Sequence, residues 1–212
     1  MYKGEYIFLR LIEPDDYETT YRWRNDYELQ KMTCGPMRYI SKEMEKNWAL
    51  SRSKDNSNNI YLAICSYETN EMIGWISINN IDYINRKCCL GGIEIGDKEH
   101  QNGFEYVESI KMVMEYAFDQ LNMNKIYSSC LEEHLLSRAE PLAFFSKVEG
   151  IERQSIYKDG KYHNKFNFGL LKEDYLEHKA VGDYDLKEII KRMVRISKQI
   201  KTDNKYGTAD LY

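Results

Sequence analysis

The sequence predicts a mixed α/β domain, a mostly antiparallel central sheet flanked by helices, followed by a C-terminal amphipathic helix. Three observations predict it. Residues 60–95 hold three β-patterned runs separated by short polar turns, as in an antiparallel meander. Residues 107–121 carry apolar side chains at helical spacing, and another β run follows them, so the strands on either side should be parallel. Residues 184–200 repeat apolar positions at the same spacing, with a basic opposite side.

Composition sets the bounds. A chain of 212 residues, 42% hydrophobic and 30% charged, suits one globular domain with a short appendage. A net charge of −4 argues against a nucleic-acid-coating surface. No apolar run approaches the roughly 20 residues that span a bilayer, so no membrane partner is expected. The N-terminus lacks the basic-then-apolar order of a signal peptide. Cys34, Cys65, Cys88, Cys89 and Cys130 form an odd set without a CxxC pair. They read as reduced thiols in a cytoplasmic protein, with no metal site.

The elements follow in order. Tyr6 to Leu11 is a first strand, and Glu13-Pro14-Asp15-Asp16 opens a helix whose acidic start suits the positive dipole end. That helix is expected to continue to about Glu28. Ser41 should cap a second helix with Met44, Trp48 and Leu50 on its apolar side. Strands at 60–67, 72–78 and 88–95 make the meander, and Gly91-Gly92 suggests a bulge or a close backbone approach. Val107 to Leu121 is the crossover helix and Lys125 to Leu131 the next strand. A helix over 135–145 should break at Pro141, and a hairpin turning at Lys158-Asp159-Gly160-Lys161 closes the domain. These elements define a domain over 1–175. Residues 176–212 form an extension: a polar stretch, a helix over 184–200 that docks on its own domain or on a second subunit of a homodimer, and a disordered tail.

The residues then point to a family. The chain resembles the GCN5-related N-acetyltransferase (GNAT) superfamily, in its ribosomal-protein-alanine and nucleotide-aminosugar acetyltransferase branch. The resemblance rests on Leu9-Arg10-Leu11 with Glu13-Pro14-Asp15-Asp16, Trp23-Arg24-Asn25-Asp26, Ile73-Gly74-Trp75-Ile76, the run from Ile93 to Glu99, Tyr116-Ala117-Phe118, and the run from Ser155 to His163. It implies acetyl-CoA as co-substrate and a small-molecule or peptide amine as acceptor. It also implies that the cofactor's pantetheine arm lies along Ile93 and Ile95. The pyrophosphate would then sit on the loop Gln101-Asn102-Gly103-Phe104-Glu105-Tyr106, at the crossover helix N-terminus.

That loop departs from the family pattern, because Phe104 and Tyr106 stand where small residues are usual and Glu105 adds a negative charge. A one-residue insertion would let Gly103 serve as the first glycine. Leu90 stands where relatives carry a basic Glu, leaving Glu94, four residues along the same strand, as the candidate base. Pro141 falls where a Tyr often protonates the leaving thiolate, leaving His134 as the candidate proton donor. Trp23, Arg24 and Asn25 are candidate acceptor-binding residues. The expected function is acetyl transfer to a primary amine of a small molecule, such as an aminosugar nucleotide, or of a protein N-terminus. The alternative is a GNAT-shaped binding module that has lost its cofactor seat.

Overall fold

A computed structural model describes residues 4–203. Seven strands form one sheet in the order β1-β2-β3-β4-β5-β7-β6, antiparallel throughout except between β4 and β5.

The chain enters through β1 (Ile7–Leu11), a 3-10 turn at Pro14–Asp16, α1 (Tyr17–Arg24) and α2 (Tyr27–Gln30). The single helix expected here is thus divided at Asn25 and Asp26. The Asp26 side chain accepts the Glu28 N–H and caps a new start, while the Asn25 side-chain amide donates to the Ile40 carbonyl and accepts the Ile40 N–H. Helix α3 (Lys42–Lys54) is capped by Ser41, whose Oγ accepts the Met44 N–H at 3.1 Å. Its buried face differs from the expected one. Met44 is 55% and Leu50 36% exposed, whereas Glu45 and Ala49 are inside.

Strands β2 (Ile60–Ser66), β3 (Met72–Asp82) and β4 (Lys87–Ile95) make the meander. Between β3 and β4 the register slips: Ile76 faces Ile93 but Ile78 faces Leu90. The extra residue is accommodated at Gly91-Gly92, where added side chains would strike Ser77, Asn79 and the Trp75 ring.

Helix α4 (Phe104–Glu115) continues as a π-helical turn over Tyr116–Gln120. It crosses the sheet and returns the chain to β5 (Lys125–Leu131), beside and parallel to β4. Val107, Ile110, Met114, Ala117 and Phe118 are buried, as the spacing required. Helix α5 (Leu135–Ala143) does not break at Pro141, because the residue lies in the last turn and the helix ends two residues later. The closing hairpin is longer than its sequence signal, with β6 (Lys147–Lys158) and β7 (Lys161–Leu171), and β7 inserts between β5 and β6.

Beyond the sheet, the polar stretch contains a helix that the pattern did not reveal, α6 (Lys172–Ala180), with Tyr175 as its buried residue. Helix α7 (Leu186–Asp203) packs on α4 and α5 of its own domain and buries Ile189, Met193, Ile196 and Ile200. It also secures the end of α5. Phe145 there adopts a left-handed φ of +66°, with its ring between His178 of α6 and the Arg192 guanidinium of α7. Residues 204–212, most of the expected disordered tail, lie outside the described residues, and residues 201–203 belong to α7. No helix among the described residues is long and apolar enough to cross a membrane.

Candidate active site

Strands β4 and β5 pair only over Lys87–Lys125, Cys88–Ile126 and Cys89–Tyr127. Beyond Cys89 they separate, and β4 from Leu90 to Ile95 has no ladder partner on that side among the described residues. The wedge opens into a cavity of about 420 Å³. Residues 89–94 of β4 form one wall, and Ser128, Ser129 and Cys130 of β5 another. The start of α5 closes a third side, and the segment from Leu29 to Gly35 roofs it. Exposed strand backbone inside a cleft can pair with an extended, amide-bearing ligand.

Glu94 faces this cavity and is 9% exposed. Its Oε2 accepts from Gln30 Nε2 at 2.9 Å, and its Oε1 is buried without a partner. Burial pushes its pKa up to about 7, and Gln30 and Arg24 oppose the rise only in part. A carboxyl that titrates near neutrality, with one oxygen free, can take a proton from an ammonium group.

His134 also lines the cavity, as the N-cap of α5. Its Nδ1 accepts the Ser137 N–H at 3.3 Å, so the neutral ring carries its proton on Nε2. Burial lowers its pKa, which keeps the ring neutral. It can donate a hydrogen bond, but it is poorly suited to act as an imidazolium acid.

The three acceptor candidates part company. Arg24 lines the cavity, stacks over Trp48 at 4.9 Å and reaches buried Glu45 at 3.7 Å. Trp23 packs against Gly96, and Asn25 staples α1 to Ile40, so neither lines the cavity. Arg24 also borders an adjoining hollow of about 260 Å³ that includes Arg38.

Among the loop residues, Gly103 caps α4 at φ +94°, a conformation that glycine adopts without strain, and no atom stands within 4 Å of the position a side chain would take. Gln101 holds the Ile95 carbonyl, and Asn102 Oδ1 accepts the Phe104 N–H. Phe104 turns its ring onto Tyr6, away from the cleft. Tyr106 does the opposite and forms part of the cavity wall. The Glu105 carboxylate is folded back onto His100 and Asn102, close to the helix start. Ile93 lines the cavity, whereas Ile95 is buried opposite Gly74.

Sequence reasoning missed four groups here. Glu140 lines the cavity while its neighbour Pro141 does not. His134, Ser137 and Glu140 recur every third residue on one face of α5, a signal hidden by the expectation that Pro141 ends the helix. Gln30 was hidden by treating 17–28 as one helix. Lys158, at the hairpin tip, is buried and donates to the carbonyls of Gln30 and Thr33, holding down the roof. Only proximity in the fold brings it there.

A crossover helix with a glycine-capped start thus joins two parallel strands that splay over a cavity. The profile of the acetyltransferase (GNAT) domain matches residues 7–140, and the chain belongs to that family. It is an N-acetyltransferase that uses acetyl-CoA. It is similar to YdaF of Bacillus subtilis (strain 168), a proposed ribosomal N-acetyltransferase, with 26% identity over 81% of this chain and 94% of YdaF. The N-acetyltransferase p20 of Bacillus licheniformis is 25% identical over 81% of this chain and 96% of its own. Spermidine N-acetyltransferase from Vibrio cholerae, in complex with CoA and spermine, shares the fold with a TM-score of 0.74. It is 21% identical over 82% of this chain and 99% of its own.

Proposed function

We propose that the chain acetylates a primary amine on a small molecule or a protein N-terminus, by direct attack within a ternary complex, with Glu94 as the base. The observation that carries this reading is the Glu94 carboxyl, buried in the wall of the splayed cleft with one oxygen unpartnered. Acetyl-CoA supplies an activated thioester carbonyl, so the protein's task is mainly to position the amine and manage protons.

The residues fit such a donor along most of its length. The backbone of Leu90–Glu94, including Ile93, has a free side to offer the pantetheine amides, whereas the Ile95 carbonyl is already held by Gln101. Gln101, Asn102 and Gly103 leave open space at the start of α4 for phosphate. Phe104 clears that space by packing on Tyr6, Tyr106 borders the arm, and Glu105 is held aside by His100 and Asn102. His134, through Nε2–H, is a hydrogen-bond donor to the reacting carbonyl or sulfur.

On the acceptor side Arg24 remains of the three expected residues, with Trp23 and Asn25 shaping the helix that carries it. Arg24 and Arg38 would meet an anionic group on the acceptor, such as the phosphate of a nucleotide-linked aminosugar. The names of the relatives, a ribosomal N-acetyltransferase and a spermidine N-acetyltransferase, add a ribosomal acceptor and spermidine to the panel.

The test has two stages. Calorimetry should show CoA binding in the micromolar range, weakened when Gln101 or Asn102 is altered. Acetyl transfer is then measured with spermidine, an N-terminal peptide and a nucleotide-linked aminosugar. Absence of CoA binding at millimolar concentration would favour the binding-module alternative.

A further inference from the structure

The reaction as described leaves a buried carboxyl in the cleft without a task. Glu140, on α5, is 7% exposed and lines the same cavity as Glu94. No hydrogen bond or cation among the described residues offsets its burial. A buried carboxyl left unpartnered in a native fold calls for an explanation. Two buried carboxyls lining one cleft suit a reaction that removes a proton at one atom and supplies one at another.

We propose that Glu140 is the general acid of this reaction, giving its carboxyl proton to the departing thiolate while Glu94 takes a proton from the acceptor ammonium. The proposal rests on the acetyl-transfer reading above and adds the second half of its proton traffic. The ammonium gives one proton to Glu94, and the freed nitrogen lone pair forms the N–C bond to the acetyl carbon. When the C–S bond breaks, its electron pair goes to sulfur, which takes the Glu140 proton. The nitrogen's second proton leaves through Glu94, which has meanwhile released its first to water. Glu140 recovers a proton from water. Two protons thus leave nitrogen, one ends on sulfur and one enters solvent.

The surroundings favour Glu140 over its neighbours. The titratable and charged groups that line the cavity with it are Tyr106 from α4, Cys89 and Glu94 from β4, Cys130 from β5, His134 from the start of α5, Arg24 from α1 and Cys34 in the roof. Burial raises Tyr106 and Cys130 far from any use as acids near neutrality, and keeps His134 neutral. Burial pushes Glu140 up to about 8, so it holds its proton at neutral pH. That value lies close to the ordinary pKa of a thiol, about 8.5, the matching that general acid catalysis favours.

The variant E140Q tests this with two readouts. In the free protein near pH 7, infrared spectra should contain a protonated-carboxyl band that E140Q removes and E94Q keeps, beside the partly protonated Glu94. E140Q should bind acetyl-CoA as the unaltered protein does and lose about 100-fold in turnover. That loss should largely disappear with an acetyl thioester of an aromatic thiol, whose sulfur leaves without needing a proton. Glu140→Asp, which keeps a carboxyl, should restore part of the rate if E140Q proves poorly folded. The proposal is overturned if the band is absent, if both donors are slowed equally, or if turnover stays within about threefold. Failure of the unaltered protein to acetylate any of the three amines overturns the acetyl-transfer reading itself, and the acid assignment with it. A normal turnover in E140Q sinks the assignment alone.

Discussion

Helices α4 and α5 both carry buried glutamates, and Glu108 and Glu140 are treated in opposite ways. On α4, at the far edge of the sheet, the Glu108 carboxylate accepts the backbone N–H groups of Glu5, Tyr6 and Ile7 and so fastens the chain's entry into β1. On α5, in the cleft, Glu140 accepts nothing among the described residues, and Glu94 in the same cleft leaves Oε1 bare. Burial therefore does not distinguish a scaffold carboxyl from a chemical one. Unmet hydrogen-bonding capacity turned towards a cavity does.

The sharpest way to break this contrast is to remove each carboxyl in turn. Glu108→Ala strands three backbone donors and should lower stability in urea unfolding by about 4 kcal/mol. The acetyl-CoA affinity of the folded fraction should stay unchanged. Glu94→Gln should leave both the fold and acetyl-CoA binding intact and cut kcat by about 100-fold, or about 2.7 kcal/mol. Unchanged turnover in E94Q would remove the base from the account.

The pH dependence of stability sharpens the same comparison. Glu140 and Glu94 have folded pKa values raised to about 8 and about 7. Between an ordinary unfolded carboxyl, about 4.3, and those values, the folded state binds more protons than the unfolded state. Stability is thus fully present below about pH 4.3 and declines as pH rises through 7 and 8. E140Q should flatten that decline by on the order of 2 kcal/mol between pH 5.5 and 8.5, read from urea midpoints. A slope identical to that of the unaltered protein would contradict the raised value.

Smaller effects probe the edges of the cleft. Lys158→Met removes the cation that holds the carbonyls of Gln30 and Thr33, and should cost about 2 kcal/mol. Phe104→Ala removes the contact with Tyr6 and should cost about 1 kcal/mol, with CoA affinity unaltered. A marked gain in CoA affinity would show that the ring obstructs the cofactor seat after all.

The sequence revealed the sheet, the crossover and the docked C-terminal helix because each depends on local periodicity. Strand alternation and a helical apolar stripe are written into neighbouring residues, and the Gly91-Gly92 bulge follows from the missing side chains. Helix α6 escaped because it buries little beyond Tyr175, too few positions for a pattern. Glu45 escaped on α3 because a charged residue was assumed to face water, whereas it turns inward towards Arg24 and Thr20.

Of the residues named from sequence, Ile93 and Glu94 on β4, Arg24 on α1, Tyr106 on α4 and His134 at the start of α5 line the cavity. Glu94 was picked out because residues four apart on a regular strand share a face, but the bulge at Gly91-Gly92 breaks that alternation: Ile93 shares the face of Leu90, and Glu94 lies on the other. On α5 the sequence pointed to Pro141, while the cavity is lined by the residue before it. In the 101–106 loop, sequence alone could not tell that Phe104 and Tyr106 take opposite directions, since partners on β1 and α5 decide where those rings go. Lys158 and Gln30 meet across 128 residues of chain, a contact that no local signal records.

The claim that the cleft carboxyls manage the protons of acetyl transfer is tested most directly by the pH–rate profile of kcat at saturating acetyl-CoA. With Glu94 as base, the rate should rise with pH through about 7, and E94Q should lose that limb together with about 100-fold in rate. An E94Q protein that keeps both the limb and its rate would contradict the account.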